Sequence, residues 1–243
     1  MRILADTHTH TNVSAHAYST LRENAEAAAR AGLELIAMTN HAPAMPDSAH
    51  VWHFQNMHLI PKEIAGVKIM TGAEVNVLDA DGNIDLSPAD LTFADVVIAS
   101  LHRPVYIPGT IETHTKTWLN VIKNPYVDII GHSGEEHFKY GYETVIAAAK
   151  AANKCIEINN SSFVVRAKSN SPVNCREIAS ICKRLGAPIV VSSDAHIAGR
   201  VGDYSHALGM LEDINFPEEL IMNTTAQKFI QYIEKRKKCR GDY

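Results

Sequence analysis

Along the chain, short apolar runs rich in β-branched residues alternate with longer stretches whose apolar positions recur every three to four residues. RILAD (2–6), LELIAMT (33–39), VKIMTGAEV (67–75), DVVIASL (95–101), VDIIG (127–131), KCIEIN (154–159) and APIVVSS (187–193) read as strands. Continuous apolar runs of this length, bounded by polar residues, fit strands buried on both faces. Helical patterns lie between several of them, at Thr20–Gly32, about 111–122, about 142–152 and Asn174–Leu185, and two more, about 204–213 and 225–237, close the chain. Thr20 with Glu23 makes a capping box, and Gly32 suits a left-handed stop. Asn174 with Glu177 reads as another cap, and Gly186 as its stop. DADGNIDL (79–86) sets a DG turn between apolar positions, which predicts a small hairpin.

Alternating strands and helices with near-continuously apolar strands predict an α/β protein built on a buried parallel sheet. Seven or eight such strands in 243 residues favour a closed, TIM-like (β/α) barrel over an open doubly wound sheet. The first strand runs into DTHTHTN, with no glycine-rich phosphate loop, which removes the dinucleotide-binding and P-loop readings. One barrel uses nearly all of the chain, so residues 1–243 read as a single domain.

Composition narrows the function classes. A formal net charge of -4 argues against nucleic acid or an anionic membrane as partner. No apolar run reaches the roughly 18 residues of a membrane span. Asp6 and His8 fall where a signal peptide needs apolar residues. Cys155, Cys175, Cys182 and Cys239 form no CxxC pair, which suits a reducing cytoplasm. The basic KRKKCR (235–240) reads as a solvated helix end.

The compositional excess is histidine, 13 residues against 6 Phe. The predicted strands end at Asp6, His8 and His10, at Asn40 and His41, at Glu74, at His102, at His132, and at Asp194 and His196, with His16 in the first loop. In a barrel the C-terminal strand ends converge on one face. The i, i+2 spacing of His8 and His10, and of Asp194 and His196, puts each pair on one side of an extended strand. A lone histidine at a strand end is ordinary. Seven histidines with Glu74 and Asp194 in one pocket are not, because so many buried polar groups need a partner such as a metal. Nine donors exceed what one ion takes and suit two or three, with Glu74 a candidate bridge. Imidazole and carboxylate without thiolate suit Zn, Mn or Fe. His50, His53 and His58 lie in the long segment APAMPDSAHVWHFQNMHLIP (42–61), which reads either as a functional loop or as a plain excursion over buried Trp52 and Phe54. His114 and His206 fall on predicted helices and read as surface residues.

The set D-x-H-x-H (6–10), His16, N-H (40–41), Glu74, His102, His132 and D-A-H (194–196) resembles the PHP (polymerase and histidinol phosphatase) superfamily along the full length. HAYSTL (16–21), VWHFQNM (51–57), EINNSSF (157–163) and NCRE (174–177) resemble its YcdX-like branch of small stand-alone phosphatases. The resemblance implies a distorted (β/α)7 barrel and a trinuclear metal centre. It would put His8, His10, Glu74 and Asp194 on one metal, Glu74, His102 and His132 on a second, and His16, His41 and His196 on a third. It also implies a homo-oligomer. Two positions depart from the pattern. Asn40 stands where the family usually has Asp and would support the ligands by orienting His41, and Asp6 would be a further supporting residue behind them. Ser133-Gly134 replaces Pro-Gly after the fifth-strand histidine.

Closely spaced cations lower the pKa of a bridging water toward about 7, clamp phosphoryl oxygens and stabilise the leaving oxygen. Together with the resemblance, which implies a phosphomonoester as the small phosphorylated substrate, this gives an expected hydrolysis by attack of metal-bound hydroxide. Arg103, Arg166, Lys168 and Arg200 are the candidate phosphate donors, and Asp194 and His53 the candidate proton-transfer groups. An amidohydrolase cleaving C–N or C–O bonds is the first alternative, but it usually carries a bridging lysine where Glu74 stands. A metal-stabilised, non-catalytic interaction module is the second, and degenerate PHP modules of that kind lose ligands that this chain keeps.

Overall fold

The structure is a computed structural model and describes residues 1–238 and 240. Seven parallel strands form most of a barrel: β1 (Ala5–Thr9), β2 (Leu35–Met38), β4 (Val67–Asn76), β5 (Val96–Ser100), β6 (Ile129–Ile130), β7 (Cys155–Asn159) and β8 (Ile189–Ser192), hydrogen-bonded in that order. A two-residue β3 (Glu63–Ile64) runs antiparallel to the start of β4. The helices are α1 (Leu21–Arg30), α2 (Val51–Gln55), α3 (Ile111–Lys123), α4 (Tyr142–Ala151), α5 (Ser161–Val164), α6 (Ser171–Leu185), α7 (Ser205–Asp213) and α8 (Ala226–Lys237). The expectation of a distorted (β/α)7 barrel holds.

The barrel closes between β1 and β8 by two devices. At the C-terminal end Thr9 bridges Ala195, and the His10 N–H donates to the Ala195 carbonyl at 2.9 Å. Lower down, the side chain of Asn223 takes the place of a missing strand. Its Oδ1 accepts from Val191 N at 3.0 Å, and its Nδ2 donates to Val191 O at 2.6 Å and Ala5 O at 2.8 Å.

Inside the barrel, an apolar layer of Ala5, Leu35, Ala37, Met70, Val96, Ile98, Ile129, Cys155 and Val190 fills the end where the strands begin, and Phe229, Tyr232 and Ile233 of α8 pack against it. The interior turns polar toward the strand ends, with Glu74, Ser100, Glu157 and Ser192 all buried. In β1 an uninterrupted pleat would put Ala5 and His8 on opposite faces. The register against β2 slips between Asp6 and Thr9, and this irregularity lets both face the interior.

The structure corrects several local readings. Helix α6 starts at Ser171, with Pro172 in its first turn, and Asn174 is not its cap. Asn174 is buried, and its Nδ2 donates to Gly134 O at 3.1 Å. The 79–86 hairpin is a turn closed by a single bridge, Val77 to Ile84. In the 42–61 segment Phe54 is buried, but Trp52 is 68% exposed. His206 is exposed, whereas His114 is buried, because its ring bridges the Gly109 N–H and the Lys139 carbonyl, each at 2.8 Å. The basic tail is only partly solvated. Arg236 is buried and donates to the carbonyls of Pro125, Val127 and Ala152, and Arg240 pairs with buried Asp128. Cys155, Cys175 and Cys182 are buried free thiols, while Cys239 lies outside the described residues. No described helix is long and apolar enough to cross a membrane.

Candidate metal centre

The strand ends bring the predicted residues into one cluster. Around the Oε2 atom of Glu74, His8 Nε2 lies at 3.4 Å and His10 Nε2 at 3.5 Å. These two nitrogens are 3.1 Å apart, and Asp194 Oδ1 is 3.7 Å from the first and 3.2 Å from the second. Around the other oxygen, Oε1, His132 Nε2 lies at 2.9 Å and His102 Nε2 at 3.3 Å, with 3.2 Å between them. Donors held about 2.0–2.1 Å from a tetrahedral zinc stand roughly 3.3 Å from one another, so both groups have the spacing of ligand edges. Glu74 presents one oxygen to each.

The third group is looser. His16 Nε2 and His196 Nε2 are 3.0 Å apart, and the His16 side chain is 43% exposed. His41 stacks on His10 and His16, with ring centroids at 4.3 and 5.0 Å, and its Nδ1 sits 2.7 Å from Glu74 Oε2. It stands between the Glu74 group and the His16–His196 pair rather than wholly with the latter.

A divalent cation fits this chemistry. His41 Nε2 and His10 Nδ1 are buried without a hydrogen-bond partner in the described chain, and His41 Nδ1 and Glu74 Oε2, 2.7 Å apart, meet as an ion pair outside hydrogen-bond geometry. Buried polar atoms are rarely left so, because desolvation without a partner costs about 1–3 kcal/mol each. The electrostatics agree. Burial raises the Glu74 pKa, but His8, His102 and His41 outweigh it and hold the carboxyl well below its usual range. Burial likewise opposes ionisation of Asp194, and His8, His10 and His196 overcome it. Burial lowers His8, yet Glu157, Glu74 and Asp194 hold it well above the ordinary value. His102 is pushed down to about 4 by burial, the nearby Glu74 only partly compensating. The site is thus a set of carboxylates and imidazoles poised to share positive charge.

Behind the cluster lies a layer of supporting residues that the strand-end pattern does not reveal. Fully buried Glu157 accepts from four donors: His8 Nδ1 at 2.7 Å, Ser192 Oγ at 2.6 Å, the His132 N–H at 2.5 Å and Asn159 Nδ2 at 3.3 Å. Asn76 Oδ1 meets His102 Nδ1 at 2.7 Å, Ser100 Oγ donates to Glu74 Oε1 at 2.7 Å, and Asp47 Oδ2 holds His16 Nδ1 at 2.5 Å. A carboxylate or amide on the far ring nitrogen fixes which nitrogen faces the cluster. One signal was available: Glu157 is the lone charge within the apolar run CIEI.

The other predicted residues divide. Asp6 reaches no ligand side chain. It accepts from Ser193 N at 3.1 Å, Ser193 Oγ at 2.5 Å and Gly202 N at 3.0 Å, and so ties down the turn that carries Asp194. Asn40 does not orient the His41 ring. Its amide is spent on Thr11, with Oδ1 2.7 Å from Thr11 N, and on His53 Nε2 at 3.1 Å. His53 is therefore a neighbour of Asn40 and lines neither cleft at the cluster. The larger cleft, about 610 Å³, opens over the cluster and is bordered by Arg103, Arg166 and Lys168. The smaller, about 350 Å³, shares His16, Arg166, Asp194 and His196 with it. Arg200 borders only the smaller one and is paired with Asp203 at 3.1 Å.

A nearly closed parallel barrel with a histidine–carboxylate cluster at its C-terminal strand ends defines a barrel protein of the metal-binding class. The chain belongs to the PHP family: the PHP domain model matches residues 6–163, and the PHP-associated model matches residues 172–237. A protein of Caldanaerobacter subterraneus named a probable phosphatase is 48% identical, over 99% of this chain and 95% of its own. One of Clostridium novyi with the same name is 44% identical, over 99% and 98%. Among solved structures, the histidinol phosphate phosphatase of Lactococcus lactis, complexed with zinc, L-histidinol and phosphate, superposes with a TM-score of 0.66 at 22% identity, covering 89% of this chain and 95% of that one. A Xaa-Pro dipeptidase also shares the fold, with a TM-score of 0.57 at 12% identity, over 97% and 76%.

Proposed function

We propose that the protein is a metal-dependent phosphatase that hydrolyses a small phosphomonoester at a cluster of two to three divalent ions, zinc foremost, with Mn or Fe as alternatives. The observation that carries the reading is Glu74, whose two oxygens each face a separate set of donors. His8, His10, Glu74 and Asp194 would hold one ion, Glu74, His102 and His132 a second, and His16, His41 and His196 a third. The names of the 48% and 44% identical relatives support the phosphatase reading. Bound there, the ions would supply an activated water and positive charge for the phosphoryl oxygens.

The chain's own residues do the rest. Glu157, Asn76 and Asp47 hold the His8, His102 and His16 rings in register for binding. Arg103, Arg166 and Lys168 line the large cleft and face the phosphate, a task that positioning and fixed positive charge dominate. Arg200, already paired with Asp203, serves the smaller cleft. Asp194, held ionised by His8 and its neighbours against burial, can accept a proton but has none to give the leaving oxygen.

The test is a substrate panel on metal-loaded protein covering phosphomonoesters, phosphodiesters and amides or lactams. Phosphate release from monoesters, abolished by His8→Ala and Asp194→Ala, supports the reading. Amide cleavage without phosphate release would replace it with the amidohydrolase alternative.

A further inference from the structure

We propose that Glu135 is a positioning residue that aims the Arg166 guanidinium at the oxygens of a tetrahedral oxyanion held at the cluster. The inference rests on the phosphatase reading and identifies one of its phosphate-binding groups. Glu135 follows His132 by three residues, and its N–H donates to the His132 carbonyl at 3.1 Å. Its backbone is thus tied to a residue of the donor cluster. In the loop after α5, Arg166 Nε lies 2.7 Å from Glu135 Oε2, and both residues line the larger cleft. The two side chains are 12% and 30% exposed, so the pair is shielded enough to hold one geometry.

Pairing at Nε matters because it leaves the outer fork of the guanidinium free. Among the described residues no hydrogen bond engages either Nη of Arg166. Arg166 also borders both clefts, together with Asp194 and His196. Arg166 therefore belongs to the wall the two clefts share, beside the cluster, with no described partner on its outer fork. Two parallel N–H donors match the oxygens of a phosphoryl group. An unpaired arginine would lose rotamer freedom on meeting that ligand, whereas a carboxylate on Nε removes the freedom beforehand. A negative charge in a cleft built for a dianion is unfavourable on its own account, so fixing the arginine is what Glu135 contributes.

The experiment measures binding of inorganic phosphate to metal-loaded protein by calorimetry, with KM and kcat on p-nitrophenyl phosphate beside it. Arg166→Ala should weaken phosphate binding roughly 10- to 100-fold, the scale of a charge-assisted forked contact. Glu135→Gln, which keeps volume, should weaken it roughly three- to tenfold and raise KM more than it lowers kcat, with metal content and far-ultraviolet circular dichroism unchanged. The double variant Glu135→Ala/Arg166→Ala should bind no more weakly than Arg166→Ala alone. Glu135→Gln with unchanged affinity would overturn the proposal. So would a Glu135→Ala effect that adds in full to that of Arg166→Ala, since a residue that merely anchors its loop behaves that way. If the wild-type protein binds phosphate through this pair yet cleaves no monoester, the phosphatase reading falls and the positioning role stands. If it binds no phosphate, the positioning role falls.

Discussion

Replacing Glu157 by Gln tests whether the cluster is held from behind. The substitution keeps the shape of the side chain and removes its charge. The two carboxylate oxygens now accept from four donors, two on each oxygen. An amide keeps only one acceptor oxygen. If that oxygen stays with His8 and Ser192, the amide nitrogen faces the His132 N–H across 2.5 Å, donor against donor. The opposite flip sets donor against the His8 ring and the Ser192 hydroxyl. Either way at least one buried donor is stranded, at about 1–3 kcal/mol. The misfit falls on His8 and on the backbone of His132, residues on both sides of Glu74. Removing such supports typically lowers metal affinity 10- to 100-fold, or about 1.4–2.8 kcal/mol. Competition against a chromophoric chelator, on protein stripped and reloaded with zinc, reads the affinity directly. An affinity for Glu157→Gln within about twofold of wild type would refute the idea that Glu157 preorganises the ligands.

Three further outcomes are expected. Asn223→Ala removes the side chain that stands in for a strand between β1 and β8, with three hydrogen bonds, and should cost about 2–4 kcal/mol in urea unfolding. Burial opposes ionisation of Asp95, but Lys237, Thr71 and Lys62 hold its carboxyl below the ordinary range. A lowered folded pKa contributes stability that is complete above the unfolded value of about 3.9 and fades as pH falls through the folded one. Asp95→Asn should therefore cost about 1 kcal/mol at pH 7, a gap that narrows as pH falls below the unfolded value and through the lowered folded one in unfolding measured across pH. His53→Ala should leave kcat within about threefold, because a lost proton-transfer group would cost roughly 10²–10⁴ and His53 lines neither cleft.

The strands and the donors at their ends were legible because two signals coincide there: an apolar run stops, and a metal-type residue follows. The barrel then turns scattered positions such as His41, Glu74 and His132 into neighbours. What stayed hidden depends on tertiary placement. Glu157 and Asn76 sit inside strands, where only the barrel's curvature reveals that they face the rings of His8 and His102. Asn174 has the chemistry of a cap and uses it instead on a loop carbonyl from inside the helix. Arg236 and Arg240 look like a solvated tail until buried Asp128 and the loop carbonyls beside it are seen to receive them. Asn223 closes the barrel from a segment with no strand pattern at all.

On the proposed reading, the strand-end donors hold more than one ion, with Glu74 shared between two of them. The direct measurement is elemental analysis of protein purified without chelator, for wild type and Glu74→Ala. Two to three equivalents of Zn, Mn or Fe per chain, falling to one or fewer in the variant, are predicted, since nine donors exceed the capacity of one ion. One equivalent or less in the wild type, or a count unchanged by loss of Glu74, would contradict it.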